Sequence, residues 1–367
     1  MDVVELSREL IRFDTRVPQG NEEGPARFLG RILEEEGFTV DYPKFSEGRL
    51  NLVASKGLVS NIAPIVFTGH LDVVPLGDSE WSVDPFEGTV NNGKLYGRGA
   101  SDMKSAVAAM TLAAMESFDG MVPRGGVKLL ITANEEPGCL GARALRDSGY
   151  PVGAARALIV GEPTSNKPLL GHKGGVYLKA KTFGKTAHSS TPELGDNAIY
   201  KAARAIVEIT NMEFGAQPHE LLGLPTVNVG KFSGGQNLNS VPDYAEFTID
   251  VRTTPTMPNV EILNHLKAVL GKEVILEKLV DLNPVSSDMK DPFVQKVMEL
   301  CSCPPGSEKA ATYLTDASVL TPWLEQVPTI ILGPGEAKMA HQTNEFCFIE
   351  KIREAHALYK DIIKKTI

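Results

Sequence analysis

Several residues suited to metal-assisted chemistry stand where apolar runs of this chain end. Phe67-Thr68-Gly69-His70-Leu71-Asp72 carries a buried-strand pattern into a histidine and an aspartate two residues apart. The period-two geometry of a strand puts both on one face, so the Asp72 carboxylate can take one imidazole N–H and leave the other nitrogen of His70 free for a metal ion. A satisfied structural histidine is the competing reading. Ile131-Thr132-Ala133-Asn134-Glu135-Glu136-Pro137-Gly138 ends a second apolar run in two adjacent glutamates. At the carboxyl end of a buried strand they repel unless a cation or a shared proton relieves them, whereas two exposed loop acids need neither. Val160-Gly161-Glu162-Pro163 ends a third strand in another acid, and after a fourth, Leu332-Gly333-Pro334-Gly335 leads to Ala340-His341-Gln342.

Gly97-Arg98-Gly99-Ala100-Ser101-Asp102-Met103-Lys104 is a glycine-flanked loop opening a helix. Asp102 reads either as an acid favoured by the dipole of a first helical turn or as a carboxylate bridging two cations. Gly97 and Gly99 would let backbone crowd such a site. Four strand ends and one loop thus offer two histidines and several carboxylates at one edge. Mixed imidazole and carboxylate ligands suit zinc, with cobalt and manganese as alternatives. Two cations sharing Asp102 would sit ~3.5 to 4 Å apart and could hold a hydroxide between them at neutral pH.

A mostly parallel sheet is needed to gather those residues, and the first third of the chain alternates helix and strand patterns accordingly. Helices are expected over residues 3–13, 22–36 and 101–118, and buried strands over 51–54, 64–68, 127–132 and 157–160. From Gly174 the rhythm changes. Strand-like alternation over 176–183, 226–232, 244–251 and 273–280, with helical spacing over 196–211 and after Pro258, gives the order βαββαβ of a ferredoxin-like sandwich. Beyond Pro284 a helix from Asp291, a strand over 329–332 and a helix over 349–363 return to the first pattern. The expected architecture is a discontinuous α/β domain, residues 1–173 and 284–367, with a mixed, mostly parallel sheet sandwiched by helices. A ferredoxin-like α+β domain is inserted at 174–283.

The 367 residues exceed what one core usually serves, which fits two domains. With 37 basic and 46 acidic side chains the formal charge is −9, which argues against nucleic acid as partner. No stretch approaches the ~18 uncharged apolar residues of a membrane span, and residues 1–5 place no basic segment ahead of an apolar one, so a cytoplasmic protein is expected. Cys139, Cys301, Cys303 and Cys347 are too few and too irregular for a disulfide framework or a four-thiolate zinc site.

On these motifs the sequence resembles, over nearly its whole length, the di-zinc amidohydrolase and metallopeptidase family of acetylornithine deacetylase, succinyl-diaminopimelate desuccinylase, aminoacylase and carboxypeptidase G. It is most similar to the deacetylase and desuccinylase branch, through Glu162-Pro163-Thr164, Ala187-His188-Ser189-Ser190, Asp250-Val251-Arg252 and Ala340-His341-Gln342-Thr343-Asn344-Glu345. The resemblance implies that His70, Asp102 and Glu162 bind one zinc ion, and Asp102, Glu136 and His341 the other. It implies that Glu135 is the general acid/base, that Asp72 supports His70, and that the Asp102–Met103 peptide is cis.

For the inserted domain the resemblance implies a lid and dimerisation role. His188 would reach the active site of the partner subunit and polarise the scissile carbonyl, and Asn239 and Arg252 would contact substrate. A capping or packing histidine and a core-edge ion pair are the alternatives for His188 and Arg252. His172, His219, His265 and His356 read as surface, hinge or helix residues. The implied function is hydrolysis of a small N-acyl amino acid, of the N-acetylornithine or N-succinyl-diaminopimelate type, by a homodimer whose lid closes about hinges near 172–174 and 283–285. An exopeptidase or dipeptidase using the same metals is the runner-up, and a non-catalytic binding protein of the same fold a remote third.

Overall fold

Strands that are apolar on both faces belong in a sheet covered on both sides, and that is where the candidate ligands are held. The computed structural model describes residues 1–365 apart from 60, 121–122, 305 and 308. Its chain begins with α1 (Val3–Ile11), α2 (Glu23–Glu35), β1 (Thr39–Asp41), β2 (Leu52–Lys56), β3 (Ile65–His70), α3 (Ser105–Glu116), β4 (Val127–Thr132), α4 (Leu140–Asp147) and β5 (Ala157–Val160). It continues with β6 (Gly174–Phe183), α5 (Ala198–Asn211), β7 (Thr226–Gly234), β8 (Tyr244–Thr253), α6 (Asn259–Leu270) and β9 (Val274–Leu282). It ends with α7 (Pro292–Leu300), α8 (Ala317–Trp323), β10 (Thr329–Ile331) and α9 (Ile349–Lys365). Two compact units result, Met1–Gly171 with Ser286–Ile367, and His172–Val285.

The larger unit holds a six-stranded sheet in the order β1-β2-β4-β3-β5-β10. β3 runs parallel to β4 and β5, and β5 parallel to β10, while β2 runs antiparallel to β4 and β1. All residues of β3, β4, β5 and β10 are buried. The small residues of α3 leave its first ten positions buried, against α1 and α9. Since β3, β4, β5 and β10 point one way, their carboxyl ends share an edge, where open α/β sheets bind ligands.

The helix expected from residue 101 begins at Ser105. Residues 100–104 form an irregular turn in which Asp102 (φ −124°, ψ 93°) and Met103 (φ −137°, ψ 30°) are non-helical, and the Asp102–Met103 peptide is cis. Asp102 is therefore not an acid of a regular first helical turn. Strand β1 and helix α4 carried no expectation, being too short to show a period.

The smaller unit holds an antiparallel sheet in the order β7-β8-β6-β9 with α5 and α6. Val176, Leu178 and Ala180 of β6 and Phe247, Ile249 and Val251 of β8 alternate into a core with Ala202, Ile209, Ile262 and Leu266. The intervening Lys179 and Lys181 pair with Glu246 and Glu277. The Asn197 side chain caps α5 by accepting from the Tyr200 N–H at 3.1 Å. This is the ferredoxin-like order. No helix among the described residues is long and apolar enough to cross a membrane.

Candidate metal centre

His70, the last residue of β3, stands in register with Thr132, the last of β4. Its Nδ1–H donates to the backbone carbonyl of Asp72 at 2.9 Å, which turns Nε2 toward the carboxylates. That Nε2 lies 3.2 Å from Asp102 Oδ1 and 3.7 Å from Glu162 Oε1. Nε2 of the half-exposed His341 lies 3.1 Å from Glu136 Oε2 and 3.5 Å from Asp102 Oδ2. Asp102 thus turns one oxygen to each histidine. The groups His70-Asp102-Glu162 and Asp102-Glu136-His341 each bring their ligand atoms within 4.8 Å of one another. The glycine-rich loop before His341 permits this closeness, because a Cβ on Gly335 would lie 2.1 Å from the Ser101 carbonyl oxygen.

The Asp72 carboxylate does not make the bond that strand alternation suggested. It lies 3.6 Å from His70 Nδ1 and instead accepts the backbone N–H groups of Glu135 at 2.9 Å and Glu136 at 3.1 Å. The cause is local: β3 ends at His70, so period-two geometry stops before Asp72. Asp72 supports the ring through its carbonyl and orients both glutamates through its side chain.

Burial pushes the Glu135 and Glu162 carboxyls well above the usual range, helped for Glu162 by Asp102 and for Glu135 by Glu162, Asp316 and Glu136. Burial acts the same way on Asp102, but hydrogen bonds from His341 and His70 outweigh it and hold that carboxyl low. Those bonds with Asp102 and Glu136 raise His341 to about 10. The cavity here, about 280 Å³, is lined by Asp102, Glu135, Glu136, Glu162, Tyr313 and His341 among others, with no lysine or arginine among the described lining residues. Among the described residues, Glu136 Oε1 is buried without a hydrogen-bond partner. Crowded carboxylates, an orphaned carboxylate oxygen and two imidazoles aimed inward are a donor set that fits divalent cations.

Sequence reasoning gave Glu345 no role of its own. Its carboxylate accepts the N–H groups of Gly99 at 2.9 Å, Ser101 at 2.8 Å and Asp102 at 3.0 Å, and pairs with Arg98 at 2.7 Å. It ties the Asp102 loop to the segment after His341. Only an acid following a candidate ligand signalled it, and the contacts span more than 240 residues. Glu345→Ala is expected to cost about 3 to 5 kcal/mol by stranding a buried guanidinium and three amides. Weaker metal binding should accompany that loss, as read by urea unfolding and zinc titration. Tyr313 was also missed; its hydroxyl donates to the Pro163 carbonyl at 2.9 Å. His172 is fully buried, its Nδ1–H donating to the Lys173 carbonyl at 2.8 Å, and so is no surface residue.

In the smaller unit, exposed His188 accepts the Ser190 N–H on Nδ1 at 3.2 Å, with the Ser190 hydroxyl 2.7 Å away. The Ser189 N–H donates to the Asn239 carbonyl at 3.0 Å and His188 bridges to Ser240, which sets His188 beside the Asn239 segment. Arg252 pairs with Asp250 at 3.0 Å and lies over the Tyr177 ring. It stands in register with Gly175, at the end of the sheet where the chain enters the unit, whereas His188 follows the far end of β6. From Tyr244 to Arg252 along β8 is about 26 Å at ~3.3 Å per residue.

A mostly parallel sheet with this cluster at its carboxyl edge, interrupted by a ferredoxin-like unit, is the architecture of an enzyme with a candidate metal site, and the family match below makes it a hydrolase. The chain belongs to the peptidase family M20/M25/M40, whose model matches residues 66–365. It is 31% identical to a Staphylococcus epidermidis protein named "Probable succinyl-diaminopimelate desuccinylase", over 99% of this chain and 97% of that one. It is 33% identical to the acetylornithine deacetylase of Vibrio vulnificus, over 84% of this chain and 82% of that one. Among solved structures, an M20 family metallo-carboxypeptidase from Sulfolobus solfataricus matches with a TM-score of 0.81 at 21% identity, over 99% of both chains. A dinuclear metal binding peptidase of the same family from Bacillus subtilis matches with a TM-score of 0.73 at 16% identity, over 100% of this chain and 98% of that one.

Proposed function

We propose that the protein hydrolyses the amide bond of an N-acyl amino acid of the N-acetylornithine or N-succinyl-diaminopimelate type. Two divalent cations, zinc before cobalt or manganese, would be held by His70, Asp102 and Glu162 and by Asp102, Glu136 and His341. The observation that carries this reading is the pair of ligand groups sharing Asp102, one oxygen toward each histidine. When bound, such cations polarise a carbonyl and lower the pKa of water to about 7.

Glu135 borders the cavity without belonging to either ligand group, so it is free to take a proton from water and pass it to the departing amine. Asp72 fixes the turn on which Glu135 and Glu136 sit. With Nδ1 of His188 engaged as acceptor, its Nε2–H is a donor for a carbonyl oxygen gaining charge. Arg252 is suited to a substrate carboxylate and Asn239 to a polar contact beside His188.

His188 and Arg252 stand at opposite ends of one sheet, too far apart to grip one small substrate together. The protein is therefore read as a homodimer in which His188 serves the active site of the partner subunit. Mixing His188→Ala with Glu135→Gln protein, each inactive alone, is expected to restore about a quarter of wild-type activity through heterodimers. No restoration after subunit exchange would mean that His188 acts within its own chain.

The reading is tested by a panel of N-acetylornithine, N-succinyl-diaminopimelate, other N-acyl amino acids and dipeptides, assayed with zinc. An acylated amino acid should have the highest kcat/KM. Preference for a dipeptide over all of them would favour an exopeptidase.

A further inference from the structure

Behind Glu135 lie Cys139 and Asp316, which are not among the cavity-lining residues and which the reaction described above does not use. Glu135, Cys139 and Asp316 are 8%, 1% and 2% exposed, and one polar atom of each lies within 4.8 Å of the others. The Cys139 thiol donates to Glu135 Oε1 at 3.6 Å. Asp316 Oδ2 accepts the Thr132 hydroxyl at 2.5 Å, and Asp316 Oδ1 is buried with no hydrogen-bond partner among the described residues, although the Cys139 thiol interacts with this acid as well as with Glu135. Backbone holds the thiol in place: the Cys139 N–H donates to the Glu135 carbonyl at 2.7 Å, and Cys139 adopts φ +58°. A buried carboxylate with an orphaned oxygen is costly, and two acids side by side push each other apart.

We propose that Cys139, seated against Asp316, is a positioning residue for Glu135: its S–H bond and the acid behind it hold the Glu135 carboxylate in the one orientation that faces the cavity. Such a brace has a large effect on rate, since a misplacement of about 1 Å in a reacting group can cost on the order of 10²-fold. A thiol suits the place, being small and apolar enough to stay buried yet able to donate. Burial first, and then the two neighbouring acids, keep it protonated. Cys139 enters neither ligand group, so its loss should not disturb metal binding.

The inference rests on the hydrolytic reading of the site, and its test has one arm that does not. Zinc-loaded wild type, Cys139→Ala and Cys139→Ser are compared by crystallography and by steady-state kinetics. Cys139→Ala should show Glu135 rotated or split between conformers, with kcat about tenfold lower and KM and bound zinc unchanged. Cys139→Ser should restore a single conformer and bring kcat within about threefold of wild type. Asp316→Ala should match Cys139→Ala, and the double variant should be no worse than either, because the pair acts as a unit. A Cys139→Ala protein with Glu135 in its wild-type conformer and kcat within twofold of wild type would overturn the proposal. If wild type hydrolyses nothing in the panel, the hydrolytic reading falls, and the Glu135 conformer alone still decides whether Cys139 positions it.

Discussion

Glu135→Gln is expected to retain both metal ions and lose about 10³- to 10⁴-fold in kcat, the upper part of what general acid–base catalysis contributes. The amide keeps the volume and hydrogen-bonding reach of the acid but cannot carry a proton from water to amine. Neither group of ligand atoms includes Glu135, so the metal sites survive the change. The fold should survive as well. The backbone N–H of Glu135 still meets Asp72, and the amide replaces a carboxyl that burial and neighbouring acids already make costly to ionise. Zinc analysis beside turnover separates the outcomes. Undiminished kcat would remove the role assigned to Glu135, and parallel loss of metal would recast it as a ligand.

Asp102→Ala should have a still larger effect, because it strikes both sites together. Each Asp102 oxygen faces a different histidine, at 3.2 Å and 3.5 Å, so one truncation strips a ligand from both groups. Glu162→Ala or His341→Ala strips only one. If each cation supplies several kcal/mol of transition-state stabilisation, losing both amounts to about 7 kcal/mol, on the order of 10⁵-fold in rate. Bound zinc should fall from two per chain toward none for Asp102→Ala, and to about one for Glu162→Ala or His341→Ala. Equal losses from all three variants would contradict a shared carboxylate.

The ligand-bearing strand ends were legible because buried parallel strands are written as predominantly apolar runs, Lys128 in β4 aside, so the acid or imidazole that closes each run stands out. His70, Glu135, Glu136 and Glu162 all stand at such ends. The βαββαβ order was equally legible, since alternation in β6 and β8 and helical spacing in α5 are different periods. What stayed hidden was non-local. Glu345 gripping three amides, Asp316 behind Glu135 and Asp72 capping the glutamate turn are contacts across 63 to 246 residues that leave no period in the chain. Asp102 shows the limit from the other side: its loop was found by its glycines, but a regular helix was extended through it because the pattern after Ser105 is so uniformly small and apolar.

The most direct test of the central claim is to titrate chelator-stripped protein with zinc, following bound metal and hydrolysis of an N-acyl amino acid in the same samples. The account predicts two ions bound per chain, with activity absent in the stripped protein and rising as the sites fill. Hydrolysis at full rate without metal, or a protein that binds no zinc at these residues, would contradict it.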